Sequence, residues 1–399
     1  MHKGPLQDIS GWHESGERCV PAAATVERLQ PFLSAFGITR LARQTGLDRL
    51  GIPCFSAIRP AGLTLSVSQG KGLDDASAMA SALMEAIEYA VAERPRGDAR
   101  LATAAEIQQT GDRFFDPSRL LPSDRPFALG QPVSWVEGWS WPSGGRVWVP
   151  LDVVTLGGSP RELRDVSRST NGLASGNRVE EALFHAICEL IERDATSQWS
   201  LLPDEKKIAT EFVATEVEDA AIRQLLARIA QAGLELRLYD QTTDLGVPCV
   251  MAVIKEQPMG RSRTFDLAAG YGCHPVGARA IVRAITEAAQ TRITNIAGGR
   301  DDFLPEEYAA PLDETTRFLD RAPTTATRAP VWLPAGSSLP LLLGQLADRV
   351  GPTAEIAWSE LGVTADHVSV VRALSTTLED RETNANWSPG PRALRVLKG

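Results

Sequence analysis

Residues 169–195, STNGLASGNRVEEALFHAICELIERDA, decide the fold of this chain. A polar stretch with two glycines leads into a strong helix, which is predicted from Arg178 to about Trp199. Two carboxylates on this helix, Glu189 and Glu192, are three residues apart and therefore lie on one helical face. Their neighbours are mostly Ala, Leu and Ile, which predicts a partly buried setting.

The start of this helix carries a capping signature. Asn177 is followed three residues later by Glu180, and this pattern is expected to order the first helical turn. Gly176, directly before it, is then free to approach a ligand because it has no side chain.

A second helix has the same design. Residues 72–88, GLDDASAMASALMEAIE, begin with a glycine that precedes Glu85 by 13 residues, just as Gly176 precedes Glu189. Glu88 follows Glu85 by three residues, so a second pair of carboxylates shares one face. The helix is predicted to start at an Asp cap and to end at an Arg-Pro break.

A third helix is predicted from about 275 to 296, after the stretch FDLAAGYGCH. It carries Glu287, Gln290 and Arg292 toward its C-terminal half. Arg292 is the natural phosphate contact of this set because a guanidinium group binds phosphate oxygens in pairs.

The two glutamate pairs predict a metal site. Two carboxylates on one face repel each other unless cations neutralise them, and a hard, oxygen-seeking ion such as Mg²⁺ meets that demand. A single E-x-x-E pair is usually a solvated helix face, but two pairs behind matched glycines are much harder to explain that way. Glu85, Glu88, Glu189 and Glu192 are therefore the candidate metal ligands, and Ser81 lies one turn before Glu85 on the same face.

The composition bounds the kind of protein. With 399 residues, 43% of them hydrophobic and 23% charged, the chain is typical of a globular protein with a large composite domain. No apolar stretch approaches the roughly 20 residues needed to cross a bilayer, and no secretory signal is expected from the N-terminal sequence. The net charge of −9 argues against a nucleic-acid partner, and five scattered cysteines argue against disulfides or a zinc site. A cytoplasmic location is expected.

Strand and helix signals along the chain predict an α/β fold of mixed sheets and helices. The last segment is expected to be irregular and to reach back over the body of the protein. The predicted organisation is an N-terminal tail and helix over 1–36, a main domain over 37–375 with a loop and hairpin insertion at 100–150 and a variable connection at 301–335, and a C-terminal tail over 376–399.

At these motifs the chain resembles the YcaO family. The hallmark S-x-x-x-E-x-x-E-R matches SALMEAIE at 81–88, with Tyr89 in place of the usual arginine. A second, glycine-led hallmark ending in C-E-x-I-E-R-D matches 169–195 nearly throughout, and the third, E-x-x-Q-x-R, is present at 287–292. The resemblance spans about 37–300 and a late strand, HVSVVRAL.

The resemblance implies a fold in which the three helices surround ATP, with glutamates that hold Mg²⁺ against the phosphates. The residues that carry over as ATP or Mg²⁺ contacts are Ser81, Glu85, Glu88, Asn177, Glu189, Glu192, Gln290 and Arg292. Their positions also make Lys71, Arg40 and Arg168 candidate phosphate contacts. Lys71 lies in SQGKG, whose glycines a tight strand-to-helix turn explains equally well.

Three residues near the motifs are candidates for a catalytic role: His185, Cys273 and His274. His185 lies four residues before Glu189 on the same face, which fits a ligand or proton-transfer role, although a packed histidine is the commoner finding. Cys273 and His274 directly precede the third helix, yet adjacency alone does not make a catalytic dyad.

Members of the family add a nucleophile to an amide carbon, phosphorylate the resulting oxyanion with ATP and expel phosphate. The stretch STNGLASGN is similar to the TfuA-associated subgroup, which implies thioamide formation on a peptide or protein with a separate TfuA-like partner. Azoline-forming relatives typically end in P-x-P-x-P, whereas here Pro389-Gly390-Pro391 precedes eight further residues. The alternatives are an azoline-forming cyclodehydratase and a catalytically idle nucleotide-binding scaffold. A homo-oligomer is compatible with the sequence.

Overall fold

The structure is a computed structural model of the chain. The residues it describes are 18–95, 98–157, 162–256, 263–298, 304–312, 314, 316–321, 327–332, 336, 338–363 and 368–398. Most of the predicted N-terminal tail and parts of the predicted 301–335 connection therefore lie outside the described residues.

The helices of the described ranges include the three that the sequence predicts, with bounds that agree within two residues. They are α1 (Ala22–Leu29), α2 (Asp75–Glu93), α3 (Ala104–Gln109), α4 (Leu151–Val154), α5 (Val179–Ser200), α6 (Asp204–Ala209), α7 (Ala220–Gln231), α8 (Gly277–Ala297), α9 (Leu339–Val350) and α10 (Pro391–Leu397). None of the helices in these ranges is long and apolar enough to span a membrane.

The strands of the same ranges confirm the mixed α/β class. They are β1 (Arg40–Arg43), β2 (Cys54–Ile58), β3 (Val67–Lys71), β4 (Arg100–Thr103), β5 (Arg113–Phe114), β6 (Pro132–Trp141), β7 (Arg146–Pro150), β8 (Leu173–Gly176), β9 (Glu211–Val213), β10 (Leu234–Asp240), β11 (Cys249–Glu256), β12 (Leu267–Cys273), β13 (Thr327–Arg328), β14 (Ile356–Val363) and β15 (Ser369–Ser375).

These strands form three sheets. One has the order β1-β2-β3, a second β12-β11-β10-β9-β13, and a third β5-β7-β6-β14-β15-β8, with β4 paired to β6. Each sheet has one edge strand, β3, β12 or β8, that leads directly into a long helix, α2, α8 or α5 respectively. The fold is therefore organised around three strand–helix units, one from each sheet.

Glycines let each strand approach its helix closely. A Cβ on Gly70 of β3 would lie 2.1 Å from the Ala82 nitrogen, and one on Gly272 of β12 would lie 2.2 Å from the Ala280 oxygen, so neither position has room for a side chain. Gly176 is similar, because a Cβ there would lie 2.5 Å from the Ala182 nitrogen. The expectation that Gly176 is free for a ligand is therefore wrong, since helix α5 occupies that space.

The close contacts align the three units. Gly70 meets its helix eight and twelve residues later, and Gly272 does the same. Gly72 and Gly176 each meet their helix six residues later, which aligns Ala174 with Gly70. In this register, each helix carries a glutamate fifteen residues after the aligned strand position. The aligned strand residues are Gly70, Ala174 and Gly272, and the aligned glutamates are Glu85, Glu189 and Glu287.

The predicted capping signature at the start of α5 is also wrong. The helix begins at Val179 and its N-cap, Arg178, makes no side-chain cap. The Asn177 backbone N–H instead donates to the Glu181 carboxylate at 3.3 Å, and that carboxylate also pairs with Arg18. The carboxylate that contacts the start of the helix is therefore that of Glu181, which pairs with the remote Arg18, and not that of Glu180, which the local pattern predicted.

Two segments have more secondary structure than predicted. The hairpin predicted within 100–150 is formed by β6 and β7, which pair antiparallel, but the part predicted as a loop also contributes β4 and β5 to the largest sheet. The C-terminal tail does reach back over the body, as predicted, but it ends in the helix α10, whose Pro391 occupies a favourable first-turn position. The side chain of Arg392 fixes this helix to Asp194 of α5.

Candidate active site

A cavity of about 400 Å³ lies where α2, α5 and α8 meet the strand β3. All three helices and β3 contribute side chains to its wall. The lining residues are Gln69, Lys71, Glu85, Glu88, Tyr89, Thr170, Leu173, Glu189, Arg193, Glu287, Gln290, Thr291, Thr294 and Asn295. The aligned glutamates of the three strand–helix units thus face one space.

Helix α2 supplies two carboxylates that strands hold in position. Glu85 accepts a hydrogen bond from the Gln69 backbone N–H at 3.2 Å. Glu88 accepts from the Ser175 backbone N–H at 2.8 Å and from its hydroxyl at 2.7 Å. Burial raises the pKa of Glu88 to about 8, and the charges of Glu85 and Glu189 add to this effect. Ser175 belongs to β8, so the second unit orients an acid of the first.

Helix α5 supplies the second pair. Burial raises the pKa of Glu189 to about 7, although Arg193 opposes the shift. Burial also raises the pKa of Glu192, and the charge of Glu287 raises it further. Glu192 is buried and is not one of the residues that line the cavity, but it is within electrostatic reach of Glu287 and Lys71.

Helix α8 adds Glu287, which connects two units. Its carboxylate accepts from the Tyr271 backbone N–H at 3.3 Å and forms an ion pair with Lys71 of β3. Burial acts to raise the pKa of Glu287, but Lys71 and Arg193 outweigh it, so the pKa falls below its ordinary value. The Thr294 hydroxyl of α8 also donates to the Gln69 side chain, which closes the contact between α8 and β3.

The lining is acidic and rich in oxygen ligands. It contains four glutamates against two cations, Lys71 and Arg193. Within the described ranges, no group of three or more His, Cys, Asp or Glu side chains is arranged to hold a metal ion without help. Mg²⁺ bound with phosphates needs only one or two carboxylates, because water and phosphate oxygens fill its other positions. The carboxylate pairs therefore fit Mg²⁺ held jointly with an anionic ligand.

Of the predicted ATP and metal contacts, the structure brings Lys71, Glu85, Glu88, Glu189 and Gln290 to the cavity wall. The other predicted contacts lie elsewhere among the described residues. These are Glu192, buried on α5; Ser81, half-buried on α2; Arg40, exposed on β1; Asn177, which accepts from Thr25 and Arg28; Arg168, which pairs with Asp152; and Arg292, which pairs with Asp48 and Glu256.

The three candidate catalytic residues are buried away from the cavity lining. His185 packs edge-on against Phe184, and so does His274, whose Nδ1 accepts from the Val276 backbone N–H. Burial raises the pKa of the Cys273 thiol well above its usual range, and that thiol contacts two other buried cysteines. A neutral, enclosed thiol is a poor nucleophile.

Several lining residues were not among the predicted contacts. Thr291, Thr294 and Asn295 follow Glu287 at helical spacing on α8, so the face of that helix was the signal that identifies them. Gln69 precedes Lys71 by two residues on β3, and residues two apart on a strand share a face. Arg193 directly follows Glu192 in the motif of α5 but was not singled out.

The fold and the cavity together fit a mixed α/β protein that binds an anionic ligand through divalent cations. A family model described as YcaO cyclodehydratase, ATP- and Mg²⁺-binding, matches residues 69–374. The chain belongs to the YcaO family, and nearly all of its three strand–helix units lie within the matched range.

Relatives extend the match beyond the family model. A protein in the tfuA 3′ region of Rhizobium leguminosarum bv. trifolii is 35% identical over 410 residues, which cover 98% of this chain and 94% of that protein. An uncharacterized protein of Mycobacterium tuberculosis is 36% identical over 336 residues, which cover 81% of this chain and 73% of that protein.

Solved structures share the fold. A YcaO protein from Methanopyrus kandleri, bound with AMPPCP and Mg²⁺, has a TM-score of 0.70 and 23% identity over 98% of this chain and 99% of that one. A heterocyclase in complex with substrate and cofactor has a TM-score of 0.76 and 19% identity over 94% of this chain. The chain spans only 54% of that heterocyclase.

Proposed function

We propose that the protein binds ATP and Mg²⁺ in the acidic cavity and uses them to activate a backbone amide of a peptide for thioamide formation. The observation that carries this proposal is the convergence of Glu85, Glu88, Glu189 and Glu287 from three helices on one cavity of about 400 Å³. A cavity of this size accommodates a nucleotide-sized ligand.

The side chains of the wall divide into two roles. Glu85, Glu88 and Glu189 present carboxylate oxygens, the ligand type that Mg²⁺ prefers. Lys71 and Arg193 provide positive charge that stabilises a transferring phosphoryl group. Because Lys71 is paired with Glu287, we expect its ammonium group to exchange part of that contact for a phosphate oxygen when ligand binds.

Bound ATP supplies the phosphoryl group that turns an amide oxygen into a leaving group. In the complete reaction the amide oxygen leaves as part of phosphate and a sulfide sulfur takes its place, so amide, ATP and hydrosulfide give thioamide, ADP and phosphate. The protein orients the reactants and neutralises developing charge, and none of its own side chains needs to act as a nucleophile.

The choice of sulfide as the nucleophile rests on the relative encoded in the tfuA 3′ region, which matches 98% of this chain. We therefore propose a TfuA-like protein as the partner that delivers either sulfur or the peptide. The azoline-forming reaction remains the alternative, because the similar structures include a heterocyclase with its substrate.

The test is mass spectrometry of a candidate peptide or protein after incubation with the full chain, the TfuA-like partner, ATP, Mg²⁺ and sulfide. A mass increase that matches the exchange of oxygen for sulfur supports thioamide formation, and loss of one water supports an azoline instead. Tight ATP binding without phosphate release under any of these conditions would indicate a nucleotide-binding scaffold. The matched control is Glu189→Gln, which keeps the size of the side chain and removes its charge.

A further inference from the structure

A second, smaller cleft of about 40 Å³ lies behind the acidic cavity. Its lining includes Ser169 and Asn171, which flank Thr170 of the acidic cavity, and Leu190, which follows Glu189. The two spaces therefore share one wall. The opposite side of the cleft is made by the C-terminal tail, through residues that include Asp380 and Trp387.

The floor of the cleft contains buried polar groups that lack hydrogen-bond partners within the described ranges. Arg372 on β15 is only 4% exposed, and neither its Nε nor its Nη1 has a partner among the described residues. Asn171 is 7% exposed, and its Oδ1 likewise has none in the part of the chain that the structure describes. A buried polar atom without a partner is costly, so two donors and one acceptor around one cleft indicate that a ligand completes them.

The rim of the cleft is accessible. Ser169, Asp380 and Trp387 are half-exposed, in contrast to the buried floor. The tail that forms this rim is fixed in position, because Glu379 accepts from Arg119, from the Trp387 indole and from two backbone N–H groups. The cleft is thus a built depression between two firmly held elements.

The charges around the cleft favour a neutral ligand. Arg119 is paired with Glu379 at 2.9 Å, and Arg372 experiences the opposite charges of Glu189 and Asp380. An additional carboxylate or phosphate would be repelled by Glu379 and Asp380 of the lining. An additional cation would be repelled by Arg119 and Arg372. A neutral group that both accepts and donates hydrogen bonds satisfies the floor without disturbing this balance.

We propose that this cleft binds an amide group of the peptide substrate, whose carbonyl accepts from Arg372 and whose N–H donates to Asn171. The inference deepens the proposed function, because it assigns a recognition site beside the cavity where the amide is to be activated. The volume exceeds the roughly 10–15 Å³ that one water molecule needs, and it suits a group of several atoms. The amide comes either from the peptide backbone or from an Asn or Gln side chain.

The test uses small probes on the full chain, with hydrogen–deuterium exchange of residues 378–390 as the readout. N-methylacetamide represents a backbone amide, propionamide represents a side-chain carboxamide, and propionate represents a charged group of similar size. We expect at least one amide to protect the tail in a saturable manner and propionate to protect it far less. The amide that binds more tightly identifies the source of the group.

Two variants sharpen the test. Arg372→Gln is expected to weaken amide binding about tenfold, because a hydrogen bond to a charged donor is lost. Asn171→Ala is expected to weaken it less, and it carries the test if the arginine variant does not fold. Arg395→Gln, an exposed change on the neighbouring helix, is the matched control and should leave binding unchanged.

Three results overturn the proposal: no protection by either amide, stronger protection by propionate than by the amides, or equal amide binding by both pocket variants and the control. The experiment contains neither ATP nor sulfide. Its failure therefore leaves the reaction assigned to the acidic cavity untouched, and failure of the mass-spectrometric test leaves the amide cleft untouched.

Discussion

Helix α5 carries two kinds of acid within six residues, the fully buried Asp194 and the partly buried Glu189. Asp194 meets an arginine in near-ideal geometry, with Arg392 Nε at 2.9 Å and Nη2 at 2.9 Å from its oxygens. It also accepts from the Glu379 backbone N–H and from Gln198. Glu189, one and a half turns earlier, faces a cavity together with other glutamates. A carboxylate is costly to remove from water, and of these two only Asp194 has a hydrogen-bonded arginine among the described residues to balance its charge.

The difference separates structural acids from functional ones. Burial raises the pKa of Asp194, and the guanidinium of Arg392 opposes that shift through direct hydrogen bonds. Burial raises the pKa of Glu88 as well, and there the neighbouring charges are acids that raise it further. A cluster of acids that repel one another lowers stability, and such a cluster is typical of a binding site. A buried acid paired with an arginine instead has a structural role.

The largest expected effect is on the structural side. Arg392→Ala leaves Asp194 buried without its main cation, which should lower the free energy of unfolding by about 3–5 kcal/mol. Urea unfolding followed by circular dichroism measures this change. Arg395→Ala is the control on the same helix, because its pair with Asp244 is exposed and worth at most about 1 kcal/mol. Equal effects of the two variants would show that the Arg392 pair does not hold the tail.

The functional side should respond in the opposite way. Glu189→Gln is expected to lower ATP-dependent turnover on the order of 10²-fold, because a charged ligand at the reacting group is lost. The free energy of unfolding should stay within about 1 kcal/mol, since a neutral amide is cheaper to bury than a carboxylate.

Asp194→Asn on the same helix is the matched control for that variant. It should unfold at lower urea concentration, yet its folded fraction should retain turnover. A Glu189→Gln protein that loses stability but keeps turnover would reverse the assignment of the two acids.

A smaller effect is expected where one unit orients an acid of another. Ser175→Ala removes the hydroxyl that donates to Glu88 at 2.7 Å but keeps the backbone N–H at 2.8 Å. We expect nucleotide affinity to fall roughly tenfold, as measured by calorimetry in the presence of Mg²⁺. Ser140→Ala is the control, because that hydroxyl also donates to a carboxylate, Glu355, and neither residue lines the cavity. Equal losses in both variants would exclude a positioning role for Ser175.

Local sequence patterns were sufficient to predict the long helices but not all of the strands. The helices α2, α5 and α8 could be predicted within two residues because an alanine- and leucine-rich period and nearby breaks are encoded in the segments themselves. The strand β14 and the short strands β4 and β5 were missed, since their stability comes from partners far along the chain. The glycine spacing indicated repeated units, but only the packing of Gly272 aligned Glu287 with the other glutamates.

The site divides along the same line. Glu85 and Glu189 could be selected because their helical spacing is local, and the structure brings both to the cavity. Arg292 and Asn177 lie elsewhere because their partners are remote: Asp48 and Glu256 hold the arginine, and Arg28 holds the amide. A local sequence pattern does not predict which remote residue a side chain will pair with.

The smallest effect separates the two kinds of acid by pH. Glu93 is a structural acid that accepts from Arg59 at 2.7 Å and from the Thr64 hydroxyl at 2.7 Å. Burial acts to raise its pKa, but these donors outweigh burial, so the pKa lies below its ordinary value. A lowered folded pKa means that the stabilisation is fully present above the unfolded value of about 4.3 and is lost as pH falls through the folded value. The free energy of unfolding of the wild type should therefore decrease on acidification below about pH 5.

Glu93→Gln removes this titrating group. Below about pH 5, the free energy of unfolding of the variant should therefore depend less on pH than that of the wild type, and above this pH the two curves should run parallel. The surface acid Glu106 also has a lowered pKa, held by the Thr103 backbone N–H, but it is exposed and serves as the control. Its Gln variant should flatten the profile far less than Glu93→Gln, because solvent screens the interactions of an exposed carboxylate. If both variants flatten the profile equally, the acid sensitivity belongs to general charge and not to the buried pair. If only Glu93→Gln reduces the pH dependence of the free energy of unfolding, the paired acid has a structural role. The cavity acids, by contrast, are expected to affect turnover.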